Sequence, residues 1–308
     1  MNQLSIIIPF LNEGNEIYKT VENIRQTSGN EIKIILINDA STDNYDYQKV
    51  SKEFDTLYVE HIERMGIAFS RDEGITMCDT EYFLLLDGHM RFIEKGWSEK
   101  FINALQTEPR TIFCGQTKEL FNENCENKRP VTYGAYIDFE KNNWKALWNY
   151  KDPDSKNSII EIPIILGASY ACSKTYWQKL EGLKGLIIYG MDEQLISLKT
   201  WLEGGSCKLM KEVVVEHLYR KTFPYPMGYF HKVYNELYLS ELLLPDEIKD
   251  LFINEIIQIS PKKMVIKAME DLIAKEDWIN EQKQYYQSIF TIPFESVLLQ
   301  NKKVKEMQ

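Results

Sequence analysis

Short apolar runs alternate with amphipathic segments in the first part of this chain. The runs are residues 4–9, 32–37 and 82–86, with a weaker one at 57–61, and the segments 15–26 and 66–77 between them have apolar side chains at helical spacing. A strand that is apolar along its whole length is buried on both faces, which is typical of parallel sheets covered by helices. The alternation therefore predicts an α/β fold with a mostly parallel sheet flanked by helices.

Polar residues follow three of these runs, at the point where each strand is expected to end. The first run leads into Glu13, the second into Asp39, and the last into Asp87-Gly88-His89. Asp-Gly is a common turn pair, so any one of these places could be a simple turn or a helix cap. Ligands of open parallel sheets, however, bind beyond the carboxyl ends of the strands. The three places together predict a ligand site at this edge of the sheet.

The composition of the chain changes after residue 226. Before it, a helix at 192–203 that ends at two glycines and a strand-like segment at 207–217 continue the α/β pattern. After it, the chain is a succession of helical segments. We therefore predict two parts, an α/β domain at residues 1–226 and a helical C-terminal appendage at 227–308. The appendage offers a surface for self-association into a homo-oligomer.

The charge and the cysteines of the chain limit its partners and its compartment. The 308 residues carry a net charge of −10, which argues against a nucleic-acid partner because affinity for a phosphate backbone comes mainly from Lys and Arg. No stretch approaches the roughly 20 apolar residues that span a bilayer, and the first residues lack the basic region of a signal peptide. The five cysteines include no CxxC pair, so free thiols are expected. We predict a cytoplasmic protein without a transmembrane segment.

Four segments of the chain resemble family 2 glycosyltransferases of the GT-A fold. They are SIIIPFLNEGNEIYKTVENI, IILINDASTD, RMGIAFSRDEGI and YFLLLDGHMRF, in the order and spacing of that family. The segments LDGHMRF and VEHLYRK are in addition similar to the metal motifs of polypeptide N-acetylgalactosaminyltransferases. The resemblance covers about residues 4–220. It implies a GT-A (Rossmann-like) domain that transfers a sugar from a nucleotide donor.

The resemblance implies a divalent metal ion, Mn²⁺ or Mg²⁺, held by Asp87, His89 and His217. A sugar nucleotide carries a diphosphate, and a cation neutralises the charge of that diphosphate as it leaves. Asp87 offers a hard oxygen ligand, and His89 points to the same side because it follows two residues later in an extended segment. His217 is the third ligand by its likeness to the related transferases. A carboxylate with imidazoles on an open site suits Mn²⁺.

The same resemblance implies a UDP-sugar site around the metal. The residues expected to bind the donor are Pro9, Glu13, Asp39, Arg71, Asp87, Gly167 and Arg220. Pro9 and Glu13 are expected to hold the base and the ribose. Asp39 is expected to accept a hydrogen bond from the uracil ring, with Arg71 near Asp39 or the diphosphate, and Arg220 on the diphosphate. Gly167 begins a small-residue turn beneath the donor sugar, where the missing side chain allows close approach of the backbone.

Asp192 and Glu193 open a predicted helix at the place where the family has an acidic pair. Glu193 aligns with the usual general base of inverting members and Asp192 with its neighbour, although the common order is Glu-Asp. Acidic residues at a helix start also stabilise the helix dipole. Family 2 members are mostly inverting, whereas the likeness to polypeptide transferases points to retention. Both outcomes stay open, and inversion is the one we favour.

These residues predict a metal-dependent glycosyltransferase that moves a hexose or N-acetylhexosamine from a UDP-sugar to an acceptor hydroxyl or thiol. A peptide, a surface glycan and a small molecule are all compatible acceptors, and Trp144, Trp148 and Trp177 are candidates for stacking on a sugar or an acceptor. A nucleotidyltransferase would need a glycine-rich basic loop after the first strand, where PFLNEGNE has neither Lys nor Arg. The alternative is a non-catalytic sugar-nucleotide or glycan-binding module on a degenerate transferase fold.

Overall fold

A large mixed sheet forms the centre of the molecule in the computed structural model, which describes residues 3–28, 31–120, 130–220, 222–226 and 228–308. The strands are, in chain order, β1 Leu4–Phe10, β2 Lys33–Asn38, β3 Leu57–Glu60, β4 Tyr82–Leu86, β5 Met90–Phe92, β6 Thr111–Glu119, β7 Ala135–Ile137, β8 Ala146–Trp148, β9 Ile159–Glu161, β10 Ser169–Ser173 and β11 Ser206–His217. The α-helices are α1 Asn15–Ser28, α2 Tyr47–Phe54, α3 Ile67–Met77, α4 Trp97–Thr107, α5 Lys174–Lys179, α6 Asp192–Glu203, α7 Tyr229–Leu243, α8 Asp246–Ile259, α9 Lys262–Ile273, α10 Glu276–Ile289 and α11 Phe294–Met307.

The order of strands in the main sheet is β3-β2-β1-β4-β10-β6-β11-β5, and β9 also pairs with β11. β3, β2, β1 and β4 are mutually parallel, and β6 is parallel to β11. β10 runs antiparallel to both β4 and β6, and β5 and β9 run antiparallel to β11. The carboxyl ends of β1, β2, β4, β6 and β11 therefore lie on the same edge. The prediction of a mostly parallel sheet flanked by helices is confirmed.

The central strands are apolar on both faces because each face is covered by a separate helical layer. All seven residues of β1 are buried. Ile6 and Ile8 belong to a cluster that also contains side chains of α1 and α4, whereas Ile7 belongs to a second cluster with side chains of α3 and α6. Successive side chains of a strand point to opposite faces, so an unbroken apolar run is what a sheet covered on both sides requires.

The C-terminal helices pack on the α/β part rather than standing apart from it. Tyr238 of α7 and Phe252 of α8 lie in the same apolar cluster as Trp144. The Asn235 side chain of α7 donates hydrogen bonds to the backbone oxygens of Tyr189 and Gly190, just before α6. These helices thus support the segment that leads into the acidic pair. The last strand ends at His217 and α7 begins at Tyr229, and the boundary at residue 226 stays a prediction as a domain limit.

Two further predictions were free thiols and the absence of a transmembrane segment. Cys78, Cys114, Cys172 and Cys207 are buried free thiols, and Cys125 lies outside the described residues. In the same described part of the chain, every helix is too short or too polar to cross a bilayer.

Candidate active site

A cavity of about 490 Å³ opens at the carboxyl edge of the main sheet. The predicted donor and metal residues line it together with the acidic pair; they are Pro9, Glu13, Asp39, Arg71, Asp87, His89, Gly167, Asp192, Glu193, His217 and Arg220. They come from the ends of β1, β2, β4 and β11, from the turn before β10, from α3 and from the start of α6. The topology therefore brings residues that are more than 200 positions apart in the sequence into one cavity.

Asp87, His89 and His217 offer ligand atoms that all lie within 4.8 Å of one another. Asp87 and His89 lie on the turn between β4 and β5, and His217 ends β11. β5 pairs antiparallel with β11, with Met90 opposite His217, so strand register brings the two imidazoles together. Their Nε2 atoms lie 3.0 Å apart, and Nε2 of His217 lies 3.5 Å from a carboxylate oxygen of Asp87. One carboxylate and two imidazoles thus converge on one point, a set that suits Mn²⁺.

The protonation of these residues also suits metal ligation. Burial lowers the pKa of His217, and neighbouring His89 adds to that effect, so its imidazole is neutral and carries a free lone pair. Burial alone would raise the pKa of Asp87, but the hydrogen bond to His217 and the charge of Arg71 hold that pKa below its ordinary value. A neutral imidazole and an ionised carboxylate are the forms that bind a cation.

Glu13 orients His89 and is itself held by Arg220. Nδ1 of His89 donates to Glu13 at 3.1 Å, which leaves its Nε2 lone pair directed at His217 and Asp87. The guanidinium of Arg220 binds both carboxylate oxygens of Glu13, at 3.0 and 2.5 Å. Glu13 and Arg220 were both predicted to contact the donor. Both line the cavity, but their side chains are joined to one another beside the metal ligands.

Arg71 lies beneath the cavity and joins the metal edge to the acidic pair. Its side chain donates to Asp192 at 3.0 Å, to Asp87 at 3.3 Å and to the backbone oxygen of Gly167 at 3.3 Å. The side chain is only 6% exposed, so its charge is neutralised by these carboxylates rather than by water. Arg71 was predicted to lie near Asp39 or the diphosphate. Its hydrogen bonds in the structure go to Asp192, Asp87 and Gly167 and not to Asp39.

The two acidic residues at the start of α6 have different surroundings. Asp192 is buried and bound to Arg71. Glu193 lines the cavity, and no side chain in the described part of the chain donates a hydrogen bond to its carboxylate. Burial raises the pKa of Glu193, and the nearby charge of Asp192 raises it further. Glu193 is therefore the member of the pair that can accept a proton from a ligand in the cavity.

Gly167 makes room for the carboxylate of Glu193. A Cβ atom at this position would lie 1.7 Å from an oxygen of Glu193, so any side chain would displace it. The predicted small-residue turn is thus required by the acidic pair as well as by close approach of a ligand.

Asp39 is buried and its two carboxylate oxygens accept three hydrogen bonds from the protein. The donors are the backbone N–H groups of Met65 and Gly66, at 2.7 and 2.9 Å, and Nδ1 of His61 at 2.8 Å. His61 also binds Glu73 at 2.8 Å through its other ring nitrogen. A carboxylate oxygen has two lone pairs, so Asp39 keeps acceptor capacity toward the cavity while its orientation is fixed by the start of α3.

Several cavity residues were not singled out from the sequence. Arg64 stacks its guanidinium 4.8 Å from the ring centre of Tyr225 and donates to the backbone oxygen of Pro226. Phe223 packs on Tyr189, with ring centres 5.8 Å apart. Arg64 is the first residue of the segment RMGIAFSR, which ends in Arg71. The sequence could therefore have indicated Arg64 as a second basic residue of the site. The aromatic residues carried no such indication, because no strand end or motif marked them.

The three tryptophans proposed for stacking differ in burial. Trp144 and Trp177 are buried, and their indole N–H groups bind Ser240 and Asp72 inside the protein. They are core residues, so that part of the prediction is wrong: buried indoles are satisfied by internal partners. Trp148 lines the cavity and is 45% exposed. It is the one of the three that can meet a ligand.

The sequence of this chain matches the model of a known protein family. The model described as Glycosyl transferase family 2 matches residues 5–174, just over half of the chain. The chain belongs to glycosyl transferase family 2. The match spans β1 to the start of α5, and so includes Glu13, Asp39, Arg71 and the Asp87-Gly88-His89 turn. His217 and Arg220 lie beyond the end of the match.

Curated relatives of this family 2 chain extend further along it. It is 27% identical over 266 residues to Polypeptide N-acetylgalactosaminyltransferase 3 of Taeniopygia guttata, with 80% of this chain and 43% of the relative covered. It is 24% identical over 271 residues to Polypeptide N-acetylgalactosaminyltransferase 11 of Xenopus tropicalis, with the same two coverages. The chain thus spans less than half the length of these relatives.

A solved structure supports the fold assignment of this family 2 chain. The crystal structure of GalNAc-T7 with UDP, GalNAc and Mn²⁺ superposes with a TM-score of 0.71 at 20% sequence identity, covering 87% of this chain and 54% of that one. The GT-A fold predicted from the sequence is confirmed.

Proposed function

We propose that this chain is a metal-dependent glycosyltransferase that takes a sugar from a UDP-sugar and transfers it to an acceptor hydroxyl or thiol. The observation that carries the proposal is the convergence of Asp87, His89 and His217 in a cavity at the carboxyl edge of the sheet. The family membership and the likeness to polypeptide N-acetylgalactosaminyltransferases support it. They favour an N-acetylhexosamine as the donor sugar, with a hexose as the other candidate.

The residues of the site fit a bound Mn²⁺ or Mg²⁺. The two imidazole nitrogens lie 3.0 Å apart and the ligand atoms of Asp87, His89 and His217 all lie within 4.8 Å of one another, so a single cation could contact all three. A bound divalent cation would neutralise the charge that develops on the diphosphate as the sugar leaves. Asp87, His89 and His217 would hold it, and Glu13 would keep His89 in the tautomer with a free Nε2.

The donor nucleotide is assigned to the side of the cavity nearest β1 and β2. Asp39 would accept a hydrogen bond from the base, since its orientation is fixed by the backbone of Met65 and Gly66. Pro9 lines the cavity beside it and would pack on the base or the ribose. Arg64 and Arg220 line the cavity and would contact the diphosphate, and Arg71 would balance the charge of Asp87.

Glu193 is the proposed general base. It borders the cavity, its carboxylate is not engaged by another described side chain, and its raised pKa allows it to take a proton near neutral pH. Asp192 would hold Arg71 and keep the start of α6 in place. This assignment goes with inversion at the sugar carbon, in which the acceptor oxygen or sulfur loses its proton as it attacks. In a retaining reaction Glu193 would instead contact the donor sugar or the acceptor.

A peptide is the favoured acceptor, with glycans and small molecules as the other candidates. The support comes from the relatives, which are named polypeptide transferases. The exposed ring of Trp148 at the cavity gives an apolar surface on which a peptide or a sugar ring could lie. The cytoplasmic location predicted from the sequence stays part of the proposal.

A non-catalytic binding module is not favoured. Such a protein would be expected to lose the metal ligands or the acidic pair, whereas both line the same cavity here.

The proposal is tested by incubating the chain with Mn²⁺ and a set of radiolabelled UDP-sugars, alone and with a library of Ser-, Thr- and Cys-containing peptides. Release of UDP together with label on a peptide would support it, and each requirement is checked with EDTA and with Asp87→Asn. Absence of UDP release and of label for every donor, in the presence of a bound metal, would contradict it. The anomeric configuration of the product would then decide between inversion and retention.

A further inference from the structure

The backbone that leads into the acidic pair has an unfavourable conformation. Ile188 and Met191 have positive φ angles, of 52° and 73°, and a β-branched residue such as Ile188 rarely adopts this region because its side chain crowds the backbone. The N–H of Tyr189 donates to the backbone oxygen of Ile187 at 2.6 Å, which closes a three-residue turn around Ile188, and such a turn with a positive central φ is strained. Residues 187–191, which we call the pre-α6 segment, therefore need support from the surrounding structure.

The pre-α6 segment forms one side of the cavity. Its residues 188–190 line the cavity, and Asp192 and Glu193 follow directly at the start of α6. Met191 is the N-cap residue of α6, and its side chain makes no capping hydrogen bond. The backbone of the segment therefore decides where the first turn of α6, and with it the carboxylate of Glu193, lies.

Asn235 of α7 binds this segment through both polar atoms of its side chain. Oδ1 accepts from the N–H of Ile187 at 2.9 Å, and Nδ2 lies 3.0, 3.1 and 2.9 Å from the backbone oxygens of Ile187, Tyr189 and Gly190. The opposite orientation of the amide would direct an oxygen at three carbonyl oxygens, so these neighbours fix the orientation. The side chain is fully buried. One residue of the helical C-terminal part thus satisfies four backbone groups of the segment.

The start of α3 holds the opposite side of the segment. The N–H of Ile67 donates to the backbone oxygen of Ile188 at 2.8 Å, and a Cβ atom on Gly66 would lie 2.3 Å from Cα of Ile188. The N–H of Gly66 donates in turn to Asp39 at 2.9 Å. The pre-α6 segment is therefore clamped between α3 and α7, and Asn235 supplies contacts on the α7 side.

We propose that Asn235 is a positioning residue of the active site, which keeps the pre-α6 segment in its strained shape so that Glu193 faces the cavity. Asn235 lies outside the cavity lining, so it acts through the backbone of the segment and not on a ligand. The assignment rests on the proposed transferase function, in which Glu193 takes a proton from the acceptor. It gives α7 a part in the reaction in addition to its packing on the sheet domain.

Steady-state kinetics of Asn235→Ala in the full chain test the proposal. We expect kcat to fall by about 10- to 100-fold, as a misplacement of the order of 1 Å at a reacting group can cause. KM for the UDP-sugar should change by less than about threefold, because Asp39 and the metal ligands keep their own partners.

Asn301→Ala is the matched control for Asn235→Ala. Asn301 of α11 is also a buried asparagine, and its amide oxygen accepts from the backbone N–H of Ile137 at 2.7 Å. This control loses a comparable buried amide away from the pre-α6 segment and should keep the wild-type kcat. An unchanged kcat in Asn235→Ala, or an equal loss in the two variants, would overturn the proposal.

Relief of the backbone strain provides a rescue that a general loss of stability would not show. Ile188→Gly removes the steric cost of the positive φ angle, so the segment needs less support from Asn235. The loss of kcat caused by Asn235→Ala should therefore be smaller by about threefold or more in the Ile188→Gly background than in the wild type. A loss of the same size in both backgrounds would contradict a role through this segment.

Amide hydrogen exchange of the free protein separates this proposal from the transferase function. Exchange of the N–H groups of Ile187 and Tyr189, which are hydrogen-bonded, should be faster by about tenfold or more in Asn235→Ala and unchanged in Asn301→Ala. If the wild type transfers no sugar while this exchange responds, the transferase function fails and the hold of Asn235 on the segment stands. Unchanged exchange in a protein whose wild type is active overturns the role of Asn235 alone.

Asn235→Ser replaces the alanine variant if that variant does not fold. Its hydroxyl has a single hydrogen to donate, so it cannot satisfy the four backbone groups that Asn235 binds. The same fall in kcat and the same faster exchange are expected, and wild-type values of both would overturn the proposal.

Discussion

The Nε2 atoms of His89 and His217 face one another at a separation of 3.0 Å. Their residues are 128 positions apart in the sequence, and the pairing of β5 with β11 brings them together. Asp87 completes the group from the end of β4. This relationship is the reason to assign a cation to the carboxyl edge of the sheet, and the predictions below depend on it or on the residues that support it.

Glu13→Gln should weaken metal binding although Glu13 is not a proposed ligand. The change removes the charge that fixes His89 and pairs with Arg220, and the loss of such a supporting contact costs about 10- to 100-fold in metal affinity. Mn²⁺ binding followed by electron paramagnetic resonance measures the effect. Glu241→Gln is the matched control, because Glu241 pairs with Lys283 and Lys249 in the C-terminal helices and does not line the cavity. Equal affinities for the two variants and the wild type would show that Glu13 does not orient His89.

Glu193→Gln should lower kcat by about 10²- to 10⁴-fold, the range for loss of a general base, while UDP affinity stays within a factor of two or so. The amide keeps the shape of the side chain but cannot take a proton. Since burial raises the pKa of Glu193, wild-type kcat should increase with pH through that raised pKa as the carboxylate forms. The measurement is steady-state kinetics on an accepted donor across the pH range. A variant with unchanged kcat and unchanged pH profile would remove Glu193 from the chemistry.

The bridge that His61 forms between Asp39 and Glu73 should make stability depend on pH. Burial opposes protonation of His61, but the hydrogen bonds to Asp39 and Glu73 outweigh it and raise its pKa above the ordinary value of 6.5. A pKa that is higher in the folded state stabilises the protein fully below about pH 6.5, and this stabilisation is lost as pH rises through the folded pKa.

Urea unfolding of the wild type and of His61→Gln at a series of pH values measures this contribution. The difference between their free energies of unfolding should be largest on the acidic side and should shrink as the pH increases. Taking the difference removes the titration of other groups, such as Lys199, whose pKa burial lowers to about 7. A difference that is constant with pH would mean that His61 is not protonated when it bridges the two carboxylates.

Trp148→Ala should raise the KM for the acceptor and leave UDP binding unchanged. Trp148 is the exposed indole at the cavity, and loss of a stacked ring costs on the order of 1 kcal/mol, or about five- to tenfold in KM. Tyr150→Ala is the control, because Tyr150 is 50% exposed nearby but does not line the cavity. If both variants keep the wild-type KM, the acceptor lies on another side of the cavity.

The sequence predicted the strands and the Asp87-Gly88-His89 turn well because their signals are local. An unbroken apolar run shows burial on both faces, and the Asp87-Gly88-His89 turn is marked by the end of such a run. The prediction of His217 came from the likeness of the segment VEHLYRK to the related transferases, because a histidine near the end of a strand is by itself no sign of a metal site.

Pairings between distant residues were beyond reach of the sequence. The contact of Arg220 with Glu13 spans 207 positions and that of Arg71 with Asp192 spans 121, and both depend on strand order and register. A guanidinium that binds a carboxylate has the same sequence signature as one that binds a diphosphate. Trp144 and Trp148 show the same limit, because only packing separates the buried indole from the exposed one.

Calorimetric titration of UDP into the chain, with and without Mn²⁺, tests the metal-dependent donor site most directly when wild type and His89→Ala are compared. The expected result is UDP binding that requires Mn²⁺ in the wild type and disappears in His89→Ala, with GDP and CMP binding more weakly. UDP binding that is equal with and without the metal, or equal in the two proteins, would contradict the site described here, and so would the absence of binding by any of the three nucleotides.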